Sequence, residues 1–265
     1  PSQLADFIRS QRITHLLTFP SLYALLLDRA ESQTLPSLIS VSVAGEVCPT
    51  ALVRRHHALL PTTHLFNQYG PTEATVGASI FRTSPDFAEE RVPIGRAIEG
   101  VQLYVLDEHL QVLPDGVAGE LYIGGRGVAR GYHRRPALTA ERFIPSPFAP
   151  GQRLYRTGDL GRRRPDGHYD FLGRADHQIK LRGYRIELGE IEALLLQVEG
   201  VREAAVVVWG EQAADQQLGA FVALQRGTTE DAERLRQALA ARLPEYMLPQ
   251  RIFFLAQLPL APSGK

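Results

Sequence analysis

The sequence predicts an α/β protein: the end of a large helix-covered sheet domain with a small β-barrel-like part, then a hinged small α+β domain. Three observations support this. Apolar runs alternate with helical repeats over residues 1–91, short strands and glycine turns follow over 92–175, and a compact helix–strand set begins at Asp176. The predicted domains are therefore residues 1–175 and 176–265.

The first part alternates strand and helix patterns. The predicted strands cover residues 14–19, 38–44 and 64–67. Helical spacing follows Pro20 and Pro49, and Pro49 is expected in the first helical turn. Such alternation indicates a parallel sheet, in which ligands gather beyond the carboxyl ends of the strands. Those ends are Thr18, Ala44–Gly45 and residues 67–70.

The remaining segments are expected to form a small antiparallel barrel or sheet and a separate small domain. The barrel-like part has predicted strands at 102–106, 120–123 and 168–172 and a helix at 136–143. The last domain has predicted helices at 187–198 and 231–243, strands at 204–209 and 218–224, and a final apolar strand.

Composition excludes several function classes. The 265 residues carry 29 basic and 29 acidic side chains, so the formal net charge of zero argues against a nucleic-acid partner. No apolar run is long enough for a membrane helix. The single Cys48 excludes an internal disulfide framework and a thiolate zinc cluster, and a cytoplasmic location is expected. The first and last residues suggest a segment of a longer protein.

Only two of the basic residues are lysines, Lys180 and Lys265. Where arginine is the general surface cation, a retained lysine indicates a site that needs a compact point charge on a flexible stem. Chance survival of two lysines explains the count equally well.

Two short segments carry polar groups suited to nucleotide chemistry. In residues 67–73, the Thr72 hydroxyl beside the Glu73 carboxylate can hold a phosphate oxygen and its Mg²⁺, or can simply form a polar turn. Asp159, in a predicted glycine turn over 155–160, can accept two ribose hydroxyls or cap the turn.

Two further segments are rich in glycine or charge. Residues 119–132 lack the Gly-Lys-Ser/Thr of a phosphate-binding loop, so turns with positive φ explain their glycines. Within 173–187, apolar alternation predicts a strand with Lys180 and Arg182 on one face, opposite Ile179, Leu181 and Ile186.

Taken together, these segments resemble the adenylation domain of nonribosomal peptide synthetases, in the superfamily that also contains acyl-CoA synthetases and luciferases. The matching stretches are NQYGPTE (67–73), GELYIGGRGVARGY (119–132), YRTGDL (155–160), GRADHQIKLRGYRIELGEIE (173–192), LPEYMLP (243–249) and SGK (263–265). They occur in the family's order and cover nearly the whole chain.

The resemblance implies a two-step reaction. ATP and an amino acid give an aminoacyl-adenylate and pyrophosphate, and the aminoacyl group then passes to the phosphopantetheine thiol of a peptidyl carrier domain. A neighbouring condensation domain is an implied partner, and a small MbtH-like protein is an open one. The family's phosphate loop and its amino-group-binding Asp are expected upstream of Pro1, so this stretch alone is not expected to complete catalysis.

The resemblance also implies roles for individual residues. For the nucleotide, Thr72 contacts phosphate, Glu73 holds Mg²⁺, Tyr69 stacks on adenine with Asn67 nearby, Asp159 binds the ribose hydroxyls, and Arg174 assists with ribose or phosphate. For the reaction, Lys265 bridges the amino-acid carboxylate and the α-phosphate. Asp176 is the implied hinge, about which the loop from Lys180 to Gly183 moves to the site for thioester formation.

Six positions are implied to line the side-chain pocket of the substrate: Thr18, Ser42, Ala44, Gln68, Val76 and Gly77. None is charged, so a strongly charged substrate side chain is disfavoured, because its charge would be buried without a partner. Two alternatives remain: an acyl- or aryl-CoA ligase of the same superfamily, and a non-catalytic nucleotide-binding platform in a megasynthase.

Overall fold

The computed structural model describes residues 2–30, 35–176, 178–210, 216–229 and 231–259. The chain forms two compact units, Pro1–Asp176 and His177–Lys265. The hinge at Asp176 stays a prediction, but the division between the units falls directly after this residue.

The first unit begins with a helix-covered sheet. Its elements are α1 (Ser2–Ser10), β1 (His15–Thr18), α2 (Pro20–Ala30), β2 (Ser40–Ala44), α3 (Thr50–Leu59), β3 (His64–Tyr69), β4 (Ser79–Arg82) and β5 (Arg96–Ala97). The strand order is β1-β2-β3-β4-β5. Strands β1 to β3 are parallel, which confirms the predicted parallel arrangement, whereas β4 and β5 add antiparallel pairs that the sequence patterns did not indicate.

One face of this sheet packs against the three helices. The core includes Ile8 of α1, Leu26 of α2, Val53 of α3 and Leu65 of β3, all fully buried or nearly so. Burying an aliphatic side chain of this size contributes about 1.5–3 kcal/mol. Alternation along β2 and β3 leaves their other side chains half-buried or exposed on the opposite face.

A carboxylate fixes the start of α2 next to the end of β2. Glu46 accepts hydrogen bonds from the Ser21 backbone N–H at 3.0 Å and from the Ser21 hydroxyl at 2.9 Å. This satisfies one of the backbone donors that a helix leaves unpaired in its first turn. In α3 the predicted first-turn proline is wrong by one position, because Pro49 is the N-cap, with φ −70° and ψ 141°.

The rest of the first unit is an antiparallel sheet. Its elements are β6 (Val101–Leu106), β7 (Ala118–Gly125), α4 (Pro136–Arg142), β8 (Phe143–Pro145), β9 (Arg153–Arg163) and β10 (Tyr169–Arg174). The order is β10-β9-β7-β6, with β8 paired to β9. The sequence patterns predict either a small barrel or a sheet, and the described strands are paired in a linear order, as in a sheet.

Strand β9 departs most from the sequence patterns. The sequence patterns predict a glycine turn at residues 155–160, and this prediction is wrong, because these residues lie inside an 11-residue strand. Gly158 has a φ of +74°, and the pairing of β7 with β9 shifts register near it. Gly158 therefore marks a β-bulge, a feature for which an isolated glycine in a strand is typical.

The second unit combines a hairpin with a three-stranded sheet covered by helices. Its elements are β11 (Gln178–Leu181), β12 (Tyr184–Glu187), α5 (Leu188–Leu195), β13 (Val201–Trp209), β14 (Gln217–Leu224), α6 (Ala232–Ala240) and β15 (Arg251–Leu255). The sheet order is β13-β14-β15. Helix α6 begins at an Asp231 cap, whose carboxylate accepts from the Arg234 N–H at 2.9 Å.

The hairpin corrects the predicted face for Arg182. Leu181 pairs with Tyr184, so Arg182 and Gly183 form a two-residue turn, with φ of +50° and +78°. Positive φ at both central residues is typical of a type I′ hairpin turn. Lys180 instead pairs with Arg185, and Arg182 is in the turn rather than beside Lys180 on the strand face.

Within the described ranges, no helix combines the length and the apolar character that crossing a membrane requires.

Candidate functional site

Strand β3 sends alternate side chains to two different environments at its carboxyl end. Asn67 and Tyr69 are buried on one face, and the Asn67 amide donates to the Pro93 carbonyl at 2.8 Å. Gln68 points to the other face, where its Nε2 lies 3.3 Å from the Ser42 hydroxyl. The end of β3 thus serves two sites at once, one on each face of the sheet.

The first site is a buried network around the Asp159 carboxylate. Asp159 is 2% exposed, its Oδ2 accepts from the Tyr69 hydroxyl at 2.6 Å, and its Oδ1 accepts from Arg174 Nη1 at 2.5 Å. Burial raises the pKa of Tyr69, and the neighbouring Asp159 charge raises it further, so the phenol stays protonated and donates. Three residues named from the sequence therefore meet in one contact network.

The bulge in β9 positions Asp159. The Thr157 hydroxyl accepts from the Asp159 N–H at 2.9 Å and donates to the Leu121 carbonyl at 2.7 Å. Glu120 accepts from the Gly158 N–H at 3.1 Å, so both strands hold the bulge in place. Aromatic packing adds a second constraint, since the Tyr69 and Phe171 ring centroids lie 6.2 Å apart.

Arg174 connects this network to the predicted hinge residue. Its Nε lies 2.6 Å from Asp176 Oδ1 and its Nη2 lies 2.8 Å from Asp176 Oδ2, while Nη2 also donates to the Thr157 carbonyl at 3.1 Å. One planar guanidinium therefore contacts two carboxylates, an arrangement that the fork of donors in arginine favours.

The second group of predicted residues lies just after β3. Thr72 and Glu73 belong to a short 3₁₀ turn, in which Thr72 is exposed and Glu73 is half-buried. Glu73 Oε1 accepts from the Tyr132 hydroxyl at 2.7 Å. The turn therefore carries an exposed hydroxyl and a hydrogen-bonded carboxylate on consecutive residues, the two kinds of group that a phosphate and its metal require.

The donor set around Glu73 fits Mg²⁺. In nucleotide sites this ion is bound by one or two carboxylates, the phosphates and water, and does not need a dedicated cage of protein ligands. Among the described residues, no group of three or more His, Cys, Asp or Glu side chains is arranged to hold a metal. A single carboxylate beside a hydroxyl is therefore the metal-binding chemistry that this loop offers.

Two β-branched residues after the turn adopt left-handed backbone conformations. Thr75 has a φ of +59° and Val76 a φ of +69°, and the Gly77 N–H donates to the Thr75 carbonyl at 2.9 Å. This is a γ-turn centred on Val76, a rare and strained form. Gly70 permits it, because a Cβ at Gly70 would lie 2.3 Å from the Val76 carbonyl oxygen.

The six predicted pocket positions do not all share one face. Ser42, Ala44 and Gln68 lie on the half-buried face of the sheet, where Ala44 pairs with Gln68. Thr18 pairs with the fully buried Val43, which places it on the opposite face at the end of β1. Its hydroxyl is buried there and has no hydrogen-bond partner among the described residues.

The last two pocket positions lie in the γ-turn. The Val76 side chain is 57% exposed, and the nearest atom to a Cβ built on Gly77 is Ile98 Cδ1 at 4.0 Å. Both positions are open to a ligand on this side of the turn. The pocket assignment as a whole stays a prediction.

Lys265, Lys180 and Gly183 complete the predicted set. Lys265 is outside the described residues. Lys180 and Gly183 belong to the β11–β12 hairpin of the second unit, where Lys180 is half-buried in the strand and Gly183 is in the turn.

The sequence patterns gave no role to three residues that support the site: Tyr132, Thr157 and Glu120. Tyr132 is the last residue of the segment 119–132. The glycines of this segment indicate turns, and nothing in the pattern indicates a role for the tyrosine that follows them. Thr157 and Glu120 act on backbone N–H groups at the bulge, which no pattern in the sequence locates.

Comparisons with known proteins identify the family of this chain. The family described as AMP-binding enzyme matches residues 1–133, and the AMP-binding enzyme C-terminal domain matches residues 190–265. Bacitracin synthase 3 of Bacillus licheniformis is 45% identical over 265 residues, which are 100% of this chain and 4% of that protein. The chain thus spans a small fraction of this relative.

Two solved structures resemble the chain over nearly its full length. One is a nonribosomal peptide synthetase protein containing adenylation and PCP domains, bound to a vinylsulfonamide inhibitor; it is 32% identical, with a TM-score of 0.88 over 100% of this chain and 45% of that one. The other is the Vibrio cholerae adenylation domain AlmE in complex with glycyl-adenosine-5'-phosphate, 30% identical, with a TM-score of 0.85 over 96% of this chain and 49% of that one. Because the family match covers half of the sequence, the chain belongs to the AMP-binding enzyme family.

Proposed function

We propose that this chain supplies the nucleotide-binding side of a site that activates an amino acid with ATP. In this reaction an oxygen of the amino-acid carboxylate attacks the α-phosphorus, a new P–O bond forms, and the bond to the leaving pyrophosphate breaks. The products are an aminoacyl-adenylate and pyrophosphate. The aminoacyl group then passes to a phosphopantetheine thiol on a carrier domain, and AMP leaves.

The observation that carries the proposal is the buried carboxylate of Asp159 between Tyr69 and Arg174. A carboxylate held by two donors at 2.5 and 2.6 Å is fixed in position, so it can accept hydroxyls of a ribose without first being oriented. In the absence of nucleotide, Arg174 and Tyr69 offset the cost of burying the Asp159 charge. The Tyr69 hydroxyl is bonded to Asp159, and the aromatic ring of the same residue is proposed to stack on adenine.

The phosphate side of the site rests on Thr72 and Glu73. When bound, Mg²⁺ would be held by the Glu73 carboxylate and would offset charge on the phosphates. Thr72, the preceding residue, is exposed, and its hydroxyl can donate to a phosphate oxygen. Lys265 retains its proposed role of bridging the substrate carboxylate and the α-phosphate.

The similarity to nonribosomal peptide synthetase proteins favours an amino acid over a fatty or aryl acid as substrate, and a carrier domain over free coenzyme A as acceptor. A condensation domain and an MbtH-like protein remain proposed partners, and a cytoplasmic location remains a prediction from composition. The half-buried pocket positions Ser42, Ala44 and Gln68 carry no charge, so an uncharged substrate side chain is proposed.

The test is amino-acid-dependent exchange of labelled pyrophosphate into ATP by the complete protein, across panels of amino acids, fatty acids and aryl acids. We expect exchange with one or a few uncharged amino acids, and a large loss in Lys265→Ala. Exchange with carboxylic acids that lack an α-amino group would support the CoA-ligase alternative instead. Nucleotide binding without exchange for any acid would support the non-catalytic platform.

A further inference from the structure

The loop that carries Thr72 and Glu73 is held by a second segment, residues 127–132. The Ala129 N–H donates to the Glu73 carbonyl at 2.8 Å, and the Thr75 hydroxyl donates to the Gly127 carbonyl at 2.7 Å. Approach is close, since a Cβ on Gly127 would lie 2.9 Å from the Ala74 carbonyl oxygen. These contacts fix the backbone of the loop but leave the rotamer of the Glu73 side chain to be set separately.

Tyr132 makes a contact that reaches the carboxylate. Its hydroxyl donates to Glu73 Oε1 at 2.7 Å and is also hydrogen-bonded with the hydroxyl of the fully buried Tyr155. A tyrosine hydroxyl has a single hydrogen to donate, so this hydrogen is directed at the Glu73 carboxylate.

Tyr132 is itself held by contacts with residues other than Glu73. Its backbone N–H donates to the Thr139 hydroxyl at 2.9 Å, and its ring packs edge-on against Phe143, with centroids 5.3 Å apart. The preceding Gly131 has a φ of +143°, and a Cβ there would lie 2.3 Å from Thr139 Cγ2. The position of the phenol is therefore set by α4 and β8, independently of the carboxylate that it contacts.

We propose that Tyr132 is a positioning residue for the metal: its hydroxyl fixes the Glu73 carboxylate in the orientation that meets the Mg²⁺ of the bound nucleotide. This inference rests on the proposed role of Glu73. Residues that orient a metal ligand without touching the metal typically change metal affinity by 10- to 100-fold when they are removed. In this role Tyr132 acts through the Glu73 carboxylate.

The test uses the complete protein and measures Mn²⁺ binding by electron paramagnetic resonance in the presence of α,β-methylene-ATP. Tyr132→Phe removes the hydroxyl and keeps the ring against Phe143. We expect its Mn²⁺ dissociation constant to rise about tenfold, while its affinity for AMP, measured without metal, stays at the wild-type value. A matched control is Tyr169→Phe, which removes the hydroxyl that donates to the Leu103 carbonyl at 2.6 Å and should leave Mn²⁺ affinity unchanged.

Glu73→Gln separates this inference from the function on which it rests. If Glu73→Gln weakens Mn²⁺ binding and Tyr132→Phe does not, the positioning role is overturned and the role of Glu73 stands. If Glu73→Gln leaves Mn²⁺ binding unchanged, the metal assignment itself fails. In the double variant, Tyr132→Phe should add no further loss. Loss of AMP affinity in Tyr132→Phe would show a general disturbance of the loop and would also overturn the positioning role.

Discussion

Arg174 contacts Asp176 through two guanidinium nitrogens, with Nε 2.6 Å from Oδ1 and Nη2 2.8 Å from Oδ2. The third nitrogen, Nη1, donates to Asp159, so the proposed ribose-binding carboxylate and the predicted hinge residue share one cation. The first compact unit ends at Asp176. A single side chain therefore links the proposed ribose-binding carboxylate to the last residue of the first unit.

Arg174→Lys tests this shared contact. Lysine keeps the positive charge but lacks the planar fork, so its single nitrogen cannot serve both carboxylates with the same geometry. The loss of one charge-assisted hydrogen bond, worth about 1.5–3 kcal/mol, should raise the KM for ATP about tenfold or more in pyrophosphate exchange. Arg162→Lys is the control, because Arg162 pairs with Asp170, and it should leave the KM for ATP unchanged. Equal KM values in the two variants would contradict the assignment.

Gly158→Ala should disturb the network of Asp159, Arg174 and Asp176. A Cβ on Gly158 would lie 2.8 Å from both Arg174 Nη2 and Asp176 Oδ2, and the φ of +74° already disfavours alanine. Gly116→Ala is a matched control, because Gly116 has a φ of +86° but nothing within 4 Å of its Cβ. Both variants bear the backbone cost of about 1 kcal/mol, and only Gly158→Ala should also weaken AMP binding in calorimetry. Equally weakened binding in both would attribute the effect to the backbone alone.

His56 should make this domain less stable in mild acid. Burial lowers the pKa of His56 to about 4, and its ring is satisfied when neutral, with Nε2 2.8 Å from the Thr63 carbonyl and Nδ1 2.6 Å from the Tyr23 hydroxyl. Between its ordinary pKa of 6.5 and 4, the unfolded chain binds a proton that the fold does not. The free energy of unfolding should therefore fall by about 2 kcal/mol from pH 7 to pH 5.

Thermal unfolding of the complete protein checks this, following the transition that AMP shifts upward. His56→Gln should lower the melting temperature at pH 7 but flatten its dependence on pH. His109→Gln, at a histidine whose side chain is 78% exposed, should leave the wild-type dependence intact. A wild-type slope in His56→Gln would show that other groups cause the loss in acid.

Val76→Gly should relieve strain at the predicted substrate pocket. A non-glycine residue in the left-handed region costs about 1–3 kcal/mol, so glycine at 76 should leave the melting temperature unchanged or higher. It should also raise the KM for the amino acid and leave that for ATP unchanged. Val47→Gly is the control at a comparably exposed valine without positive φ, and it should not change the amino-acid KM. A change in the ATP KM alone in Val76→Gly would place Val76 outside the pocket.

The sequence patterns located the helix-covered sheet well, because β1 to β3 are short apolar runs bounded by glycine or proline. They misplaced residues 155–160, because a bulge glycine inside a strand has the same local signature as a turn glycine. The pairing of β9 with β7 distinguishes a bulge from a turn, and local sequence patterns do not predict this pairing.

For the candidate site, the sequence identifies the functional residues but not the contacts that hold them. Thr72, Glu73 and Asp159 stand in recognisable segments, so residue types and family resemblance identify them. The contacts that hold them join residues 59 and 90 positions apart, as in Tyr132 with Glu73 and Tyr69 with Asp159. Such pairs follow from the fold of the sheets, so the supporting role of Tyr132 could be found only in the structure.

The most direct test of the central claim is the KM for ATP in amino-acid-dependent pyrophosphate exchange, compared between the complete wild-type protein and Asp159→Asn. We expect exchange in the wild type with an uncharged amino acid. In the variant, the KM for ATP should be at least tenfold higher and the KM for the amino acid should be unchanged. An unchanged KM for ATP in Asp159→Asn, with exchange intact, would contradict the claim that this buried carboxylate binds the nucleotide.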